Sequence, residues 1–277
     1  IMNYQSSPVF STPAIILRRI NFGDHDVIIT LFTLEKGKLT VIAKSAKKSS
    51  KRFAGILDMF SVLEVVCKPG RGKLPVLQEA VLKHPFEKIR CNINKAAYAC
   101  YWAELINEWV EENEKYDRLY SLFYYVLEEL DAGRRQEGAL SILFQMRLMS
   151  ISGFSPNLSY CSGCGIEMEN MKTNRVIFDL VRGGLVCEKC SSALVSEPIA
   201  RYGKIGGQSR KYLSKGTIKQ LLWVENGNLE KAGRIRFTSQ SLKEGLEFLE
   251  AFVPYHLGKS PRSLTFLHKI SRKINSK

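Results

Sequence analysis

Between Pro13 and Leu82 the chain alternates short apolar runs with turn signals, the pattern of strands. Ala14–Ile20 and Asp26–Thr33 are rich in β-branched residues, and Glu35-Lys36-Gly37-Lys38 turns the chain into Leu39–Ala43. Met59–Cys67 is joined to Leu74–Leu82 through Pro69-Gly70-Arg71-Gly72. Five short strands so closely spaced fit a small closed barrel better than a sandwich. The second strand is apolar on both faces, with Val27, Ile29 and Leu31 on one and Ile28 and Phe32 on the other. One face can fill a barrel core while the other meets a neighbouring domain. Lys44 continues the outward face of Thr40 and Ile42. Phe22 and Phe60 are expected in the core, whereas Phe53 can either stack on a base or anchor a loop.

From Phe86 to Ser152 the apolar period lengthens to that of a helix. Tyr98, Trp102, Leu105 and Trp109 form one stripe, and Leu119, Phe123, Val126 and Leu130 another. A third helix is expected from about Glu137 to Ser152, closed by Gly153 and Pro156. The aromatic stripe could stack on bases, but helical spacing favours core packing. Further on, Ser214 reads as the cap of a helix carrying Ile218, Leu221 and Leu222. Ser241-Leu242-Lys243-Glu244 reads as a capping box opening a helix with Leu242, Leu246, Leu249 and Val253 inward. The expected architecture is multi-domain α+β: a five-stranded OB-fold β-barrel over 1–84, the first part of an α-helical domain over 85–156, a four-cysteine module inserted over 157–196, and a C-terminal helical segment over 197–277 that packs on the helical domain.

Composition narrows the function classes. Hydrophobic residues make up 45% of the 277, ordinary for a globular chain and too many for a disordered one. Charges interrupt every apolar stretch before it reaches membrane-spanning length. Ile1 to Ile16 place no basic segment before an apolar one, so they are not read as a signal peptide, and the expected location is cytoplasmic. The formal charge is +14, from 41 Lys and Arg against 27 Asp and Glu. It is +6 over residues 1–82, −2 over 83–158, −1 over 159–198 and +11 over 199–277. Cationic ends around a slightly acidic middle raise the expectation of a polyanionic partner, nucleic acid first and membrane surface second. A merely solvated basic face is the alternative.

Seven cysteines include two Cys-x-x-Cys pairs, Cys161/Cys164 and Cys187/Cys190. Four thiolates at this spacing can close a tetrahedral shell around zinc, and a full shell is structural, one ion per chain. Gly165 supplies the permissive backbone such a knuckle needs. Val176–Leu180 and Leu185-Val186 read as a hairpin delivering the second pair. A redox dithiol needs only one pair. Cys67, Cys91 and Cys100 are expected to be core residues.

The cationic candidates for a nucleic-acid surface are Lys44, Lys47, Lys48, Lys51 and Arg52 after the third strand, Arg71 and Lys73 before the fifth, and Arg210 and Lys211, with Arg201, Lys204, Lys215 and Lys219, in the C-terminal segment. OB barrels pair such cationic grooves with aromatic stacking on single strands. Catalytic patterns are missing. Gly70-Arg71-Gly72-Lys73-Leu74 lacks the spacing and hydroxyl of a phosphate-binding loop, and there is no Gly-x-Ser-x-Gly or His-Glu-x-x-His. Glu111-Glu112-Glu114 reads as a solvated helix end. No catalytic residue is assigned, and an enzyme is not expected. The competing reading is an RNA-binding or ribosome-associated OB-plus-zinc protein.

Several stretches, taken in order, carry a resemblance. They are Asn21-Phe22-Gly23-Asp24-His25-Asp26, Thr33-Leu34-Glu35-Lys36-Gly37-Lys38, Ala43-Lys44-Ser45-Ala46-Lys47-Lys48, Ile56-Leu57-Asp58-Met59-Phe60, Ser152-Gly153-Phe154-Ser155-Pro156, Gly183-Gly184-Leu185-Val186-Cys187 and Tyr255-His256-Leu257-Gly258-Lys259-Ser260. The chain resembles the bacterial RecO family of DNA repair proteins over essentially its full length. Position 45 is Ser where similar proteins often carry Gly, a change that bears on the backbone of that loop. The resemblance implies an N-terminal OB domain, a helical domain and a zinc module whose ligands some members lack. It further implies a non-enzymatic role in recombinational repair by the RecF pathway, in association with the nucleoid. Such proteins bind single- and double-stranded DNA and anneal complementary strands. With RecR they help load RecA on DNA coated by single-strand-binding protein, whose acidic C-terminal tail is the usual contact.

Overall fold

The structure is a computed structural model and describes residues 9–49, 52–70, 72–193 and 209–275. It divides into two compact units, one holding the chain up to Ala132 with Thr265 onward, the other Gly133–Leu264.

In the first unit, β1 (Phe10–Phe22), β2 (Asp26–Thr33), β3 (Gly37–Ala43), β4 (Val62–Lys68) and β5 (Val76–His84) close a barrel in the order β1-β2-β3-β5-β4. All its pairings are antiparallel except that of β3 with β5, the strand order of an OB fold. Inward positions follow the alternation: Ala14, Ile16, Val27, Ile29, Leu31, Val41, Leu63, Val65 and Leu77 form the core. Phe53 and Leu57 belong to the same core, which makes Phe53 a loop anchor. Phe60 is buried at φ +70 where the chain enters β4. Gly37 answers a specific need, with φ +57 and a Cβ position only 2.7 Å from the Glu111 carbonyl oxygen.

The outward side of β2 meets helices, as its second apolar face anticipates. The ring of Phe32 lies 5.4 Å from Tyr120 and 6.4 Å from Phe123, both on α3 (Asp117–Ala132). The short α1 (Glu87–Arg90) precedes α2 (Ile93–Trp109), which is capped by Asn92 accepting from the N–H groups of Asn94 and Lys95. Tyr98, Trp102 and Leu105 are buried. After α2 the exposed acidic segment is held by its backbone: Lys38 N–H donates to the Glu111 carbonyl, and Asn113 N–H to that of Lys36.

Two core expectations are corrected here. Phe22 is 53% exposed: it ends β1, whose last residues, Arg18–Phe22, are all exposed although they pair with β2. Cys91 is exposed at the end of α1. Cys67 is buried, which pushes its thiol up to about 11.

In the second unit, α4 (Glu137–Ile151) packs against α6 (Lys215–Asn226) and α8 (Ser239–Leu257). Side chains interlock over two glycines. Leu242 and Leu246 sit 3.3 Å from the Cβ position of Gly138, and Ile142 sits 2.9 Å from that of Gly245. Ser214 caps α6 as expected. The expected capping box at Ser241 is corrected: α8 begins earlier, and Thr238 is the cap, accepting from Ser241 N–H. Glu244 turns instead to Ser214 and Thr217. A four-stranded sheet in the order β6-β8-β7-β9 completes the unit, with β6 (Asn157–Cys161), β7 (Arg175–Asp179), β8 (Gly184–Val186) and β9 (Arg210–Ser214). Phe178 of β7 packs at 4.7 Å on Phe248 and 5.5 Å on Phe252 of α8. The short α5 (Glu188–Ala193) and α7 (Leu229–Gly233) lie within this unit, and α9 (Arg262–Asn275) follows α8.

Candidate metal centre and nucleic-acid interface

β7 and β8 form the expected hairpin, and β8 runs parallel to β6 with Leu185 opposite Cys161. The turn after β6 and the start of α5 therefore arrive side by side, each carrying a Cys-x-x-Cys pair. The four sulfurs lie within 4.8 Å of one another, and those of Cys164 and Cys187 are 3.6 Å apart. A tetrahedral shell with metal–sulfur bonds of about 2.3 Å places its sulfurs about 3.8 Å apart, so the group is positioned to bind a metal ion. Gly163 permits the closure, because a Cβ there would stand 2.9 Å from the Cys190 sulfur. Gly165 takes the left-handed conformation at φ +73.

Electrostatics agrees with that assignment. Burial opposes the Cys161 thiolate, but N–H groups of Cys187, Cys164 and Gly163 outweigh it and bring the thiol down to about 6. The neighbouring sulfurs of Cys187 and Cys164 push Cys190 the other way, up to about 12. Burial raises Cys187. Sulfurs this close cannot all ionise unaided, and a divalent cation removes that repulsion.

The cationic candidates fall in both units. Lys44, Lys47, Lys48, Arg52 and Lys73 are exposed on connections of the barrel. Lys51 and Arg71, like Arg201 and Lys204, lie outside the described residues. The connections converge at one end of the barrel. Lys47 donates its N–H to the His25 carbonyl at 3.0 Å and its ammonium to that of Gly23 at 2.8 Å. Ser45 holds φ +56, the conformation glycine adopts most easily, and its N–H donates to Asp26 Oδ1 at 2.7 Å. Arg52 donates to the Lys44 carbonyl and lies 4.8 Å over the Phe53 ring. The Ile42 N–H donates to the Pro75 carbonyl, which brings the connection carrying Lys73 beside the end of β3.

Arg210 and Lys211 stand on β9 in the second unit. Arg210 Nε is 3.7 Å from Asp179 Oδ2. Asp179 also accepts from the N–H groups of Val181 and Arg182, so Arg210 helps fix the β7–β8 turn.

Sequence reasoning missed the contribution of β1 to the outer face of the barrel. Strand register puts Arg18, Thr30 and Thr40 in one row and Ile20, Ile28, Ile42 and Val76 in the next. Ile20 is 40% exposed, and Phe22 extends the apolar face toward the β1–β2 turn. Arg18 is exposed on the same face, while Arg19, also exposed, falls in the row of Ile29 and Val41. Arg19 also lines a cleft of about 220 Å³ with Lys47, Phe53 and Asp58. The available signal was Arg18-Arg19 breaking an apolar run shortly before the turn at Gly23.

Comparison with known proteins agrees with this architecture. Residues 7–86 match the family model described as Recombination protein O N terminal, and residues 90–265 the one described as Recombination protein O C terminal. A DNA repair protein RecO of Desulfosudis oleivorans is 42% identical over 266 residues, covering 95% of this chain and 98% of that protein. One of Desulfatibacillum aliphaticivorans is 39% identical over 268 residues, covering 96% and 99%, and one of Syntrophus aciditrophicus is 29% identical over 265 residues, covering 94% and 96%. No helix among the described residues is long and apolar enough to cross a membrane. With a barrel of OB order, a helical part and a four-cysteine centre on one chain, and matches along almost all of it, the chain belongs to the RecO family of DNA repair and recombination proteins.

Proposed function

We propose that the chain is a non-enzymatic mediator of recombinational repair. It binds single- and double-stranded DNA and anneals complementary strands. With RecR it helps load RecA on DNA coated by single-strand-binding protein, whose acidic C-terminal tail it contacts. The observation that carries this reading is the convergence of two cationic connections, after β3 and before β5, at one end of an OB-ordered barrel, beside an exposed apolar face. In this reading Lys44, Lys47, Lys48, Lys51, Arg52, Arg71 and Lys73 neutralise phosphates, with Arg210 and Lys211 adding charge from the second unit. Phe22 offers a flat ring to an unstacked base, and Ile20 adds apolar surface beside it. Phosphate contacts hold a strand without selecting its sequence, which suits a protein that must anneal any complementary pair. The cysteine centre holds one zinc ion, and four thiolates leave it no open position for catalysis.

Binding of a fluorescent oligonucleotide as a function of salt tests the reading. Affinity for single strands should fall with a log–log slope of about 0.7 per phosphate neutralised, and K47E/K48E should weaken binding and flatten that slope. Salt-independent binding overturns it. An RNA of equal sequence, added as competitor, separates the alternative, since an RNA reader uses the 2′-hydroxyl. Preference for the RNA favours a ribosome-associated role.

A further inference from the structure

The second unit carries an arginine-lined cavity of about 490 Å³ at the start of α4, where α7 runs into α8. Arg134, Arg135, Arg234 and Arg236 line it above the half-buried Ile235 and Phe237, and among the described residues no carboxylate does. Its frame is fixed by hydrogen bonds. Arg135 donates to the Gly233 carbonyl, Gln220 donates to that of Arg236, and Thr238 caps α8 immediately after Phe237. Arg234 and Arg236 are exposed and make no ion pair among the described residues. Gln136 makes no side-chain bond to the first amides of α4, which adds the positive end of a helix to the guanidinium charge.

We propose that this cavity binds a phosphodiester group of a DNA strand through the second unit's own residues. The inference rests on reading the chain as a DNA-binding protein. Guanidinium groups pair bidentately with phosphate oxygens. Arg234 and Arg236, which make no ion pair among the described residues, repel each other, and a phosphate relieves that repulsion.

The test compares full-length R234A/R236A with the wild-type chain, using a labelled oligothymidylate across a range of salt. Neither arginine holds the fold, so the melting temperature should stay within about 1–2 °C, the shift of a surface substitution. The salt slope should drop by about 0.7 for each phosphate no longer neutralised, and R234K/R236K should recover the slope better than the affinity. An unchanged slope in R234A/R236A, with the slope still lowered in K47E/K48E, overturns the cavity while leaving DNA binding standing. Absence of DNA binding by the wild-type chain overturns both. Poly-glutamate binding abolished in R234A/R236A with the DNA slope unchanged makes the cavity a peptide site and overturns the proposal. Protection from melting by inorganic phosphate alone, with the DNA slope unchanged, does so in favour of a free anion.

Discussion

Glu244 accepts from the N–H and hydroxyl of Ser214, from the Thr217 hydroxyl at 2.6 Å and from the Gln240 side chain. Burial opposes its charge, but these donors prevail and pull the carboxyl down to about 2. Because the folded pKa is depressed, the stabilisation is complete above the ordinary value near 4.5 and is lost as pH falls from there toward 2. E244Q should cost the second unit about 1–3 kcal/mol at pH 7. Urea melts of both chains should converge as pH drops through that window; a constant gap contradicts the assignment. At Phe22 the expected effect is on binding. F22A should melt like the wild type yet lose about 1–3 kcal/mol of single-strand affinity, the worth of one stacked base. An unchanged dissociation constant removes that ring from the interface. Single residues were the least legible part of the sequence. Burial of a Phe or a Cys depends on whether another layer covers its strand or helix end, and local pattern does not carry that information for Phe22 or Cys91. Ser45 was the reverse case: a departure from family habit whose backbone nonetheless reaches the left-handed conformation with help from Asp26.

Elements were far more legible, because periodicity records which face is buried. The strands of the barrel and the three helices from Ile93 to Ile151 follow their apolar patterns closely. The start of α8 did not: Ser241 reads as its cap, whereas Thr238 holds that place and Glu244 accepts from residues at the start of α6. The cysteine module was legible from spacing alone, as covalent chemistry narrows the geometry more tightly than hydropathy does. Its stability should depend on metal. Purified protein is expected to carry about one zinc per chain, worth on the order of 10–16 kcal/mol in comparable small sites. Chelation should therefore unfold the β6–β9 sheet while the barrel keeps its circular dichroism. G163A, whose methyl group would crowd Cys190, should release the metal at lower chelator concentration. Metal-free protein with four freely reactive thiols contradicts this account.

Across the whole molecule, charge and architecture point the same way. The +6 of residues 1–82 includes the exposed cations gathered at one end of the barrel, and the +11 of residues 199–277 includes Arg234 and Arg236 of the cavity. Sequence located the charge by segment, while convergence of the connections after β3 and before β5 became visible only through the hydrogen bonds of Lys47 and Ile42. In the proposed annealing role two polyanions must be held together, and cationic side chains in two separate units of one chain fit that requirement. The most direct measurement is the annealing of complementary single strands precoated with single-strand-binding protein, using the wild-type chain and K44E/K47E/K48E. The account predicts that the wild type accelerates annealing and that the variant, folded and still carrying zinc, has lost most of that acceleration. Equal acceleration by both chains, or none by the wild type, would contradict it.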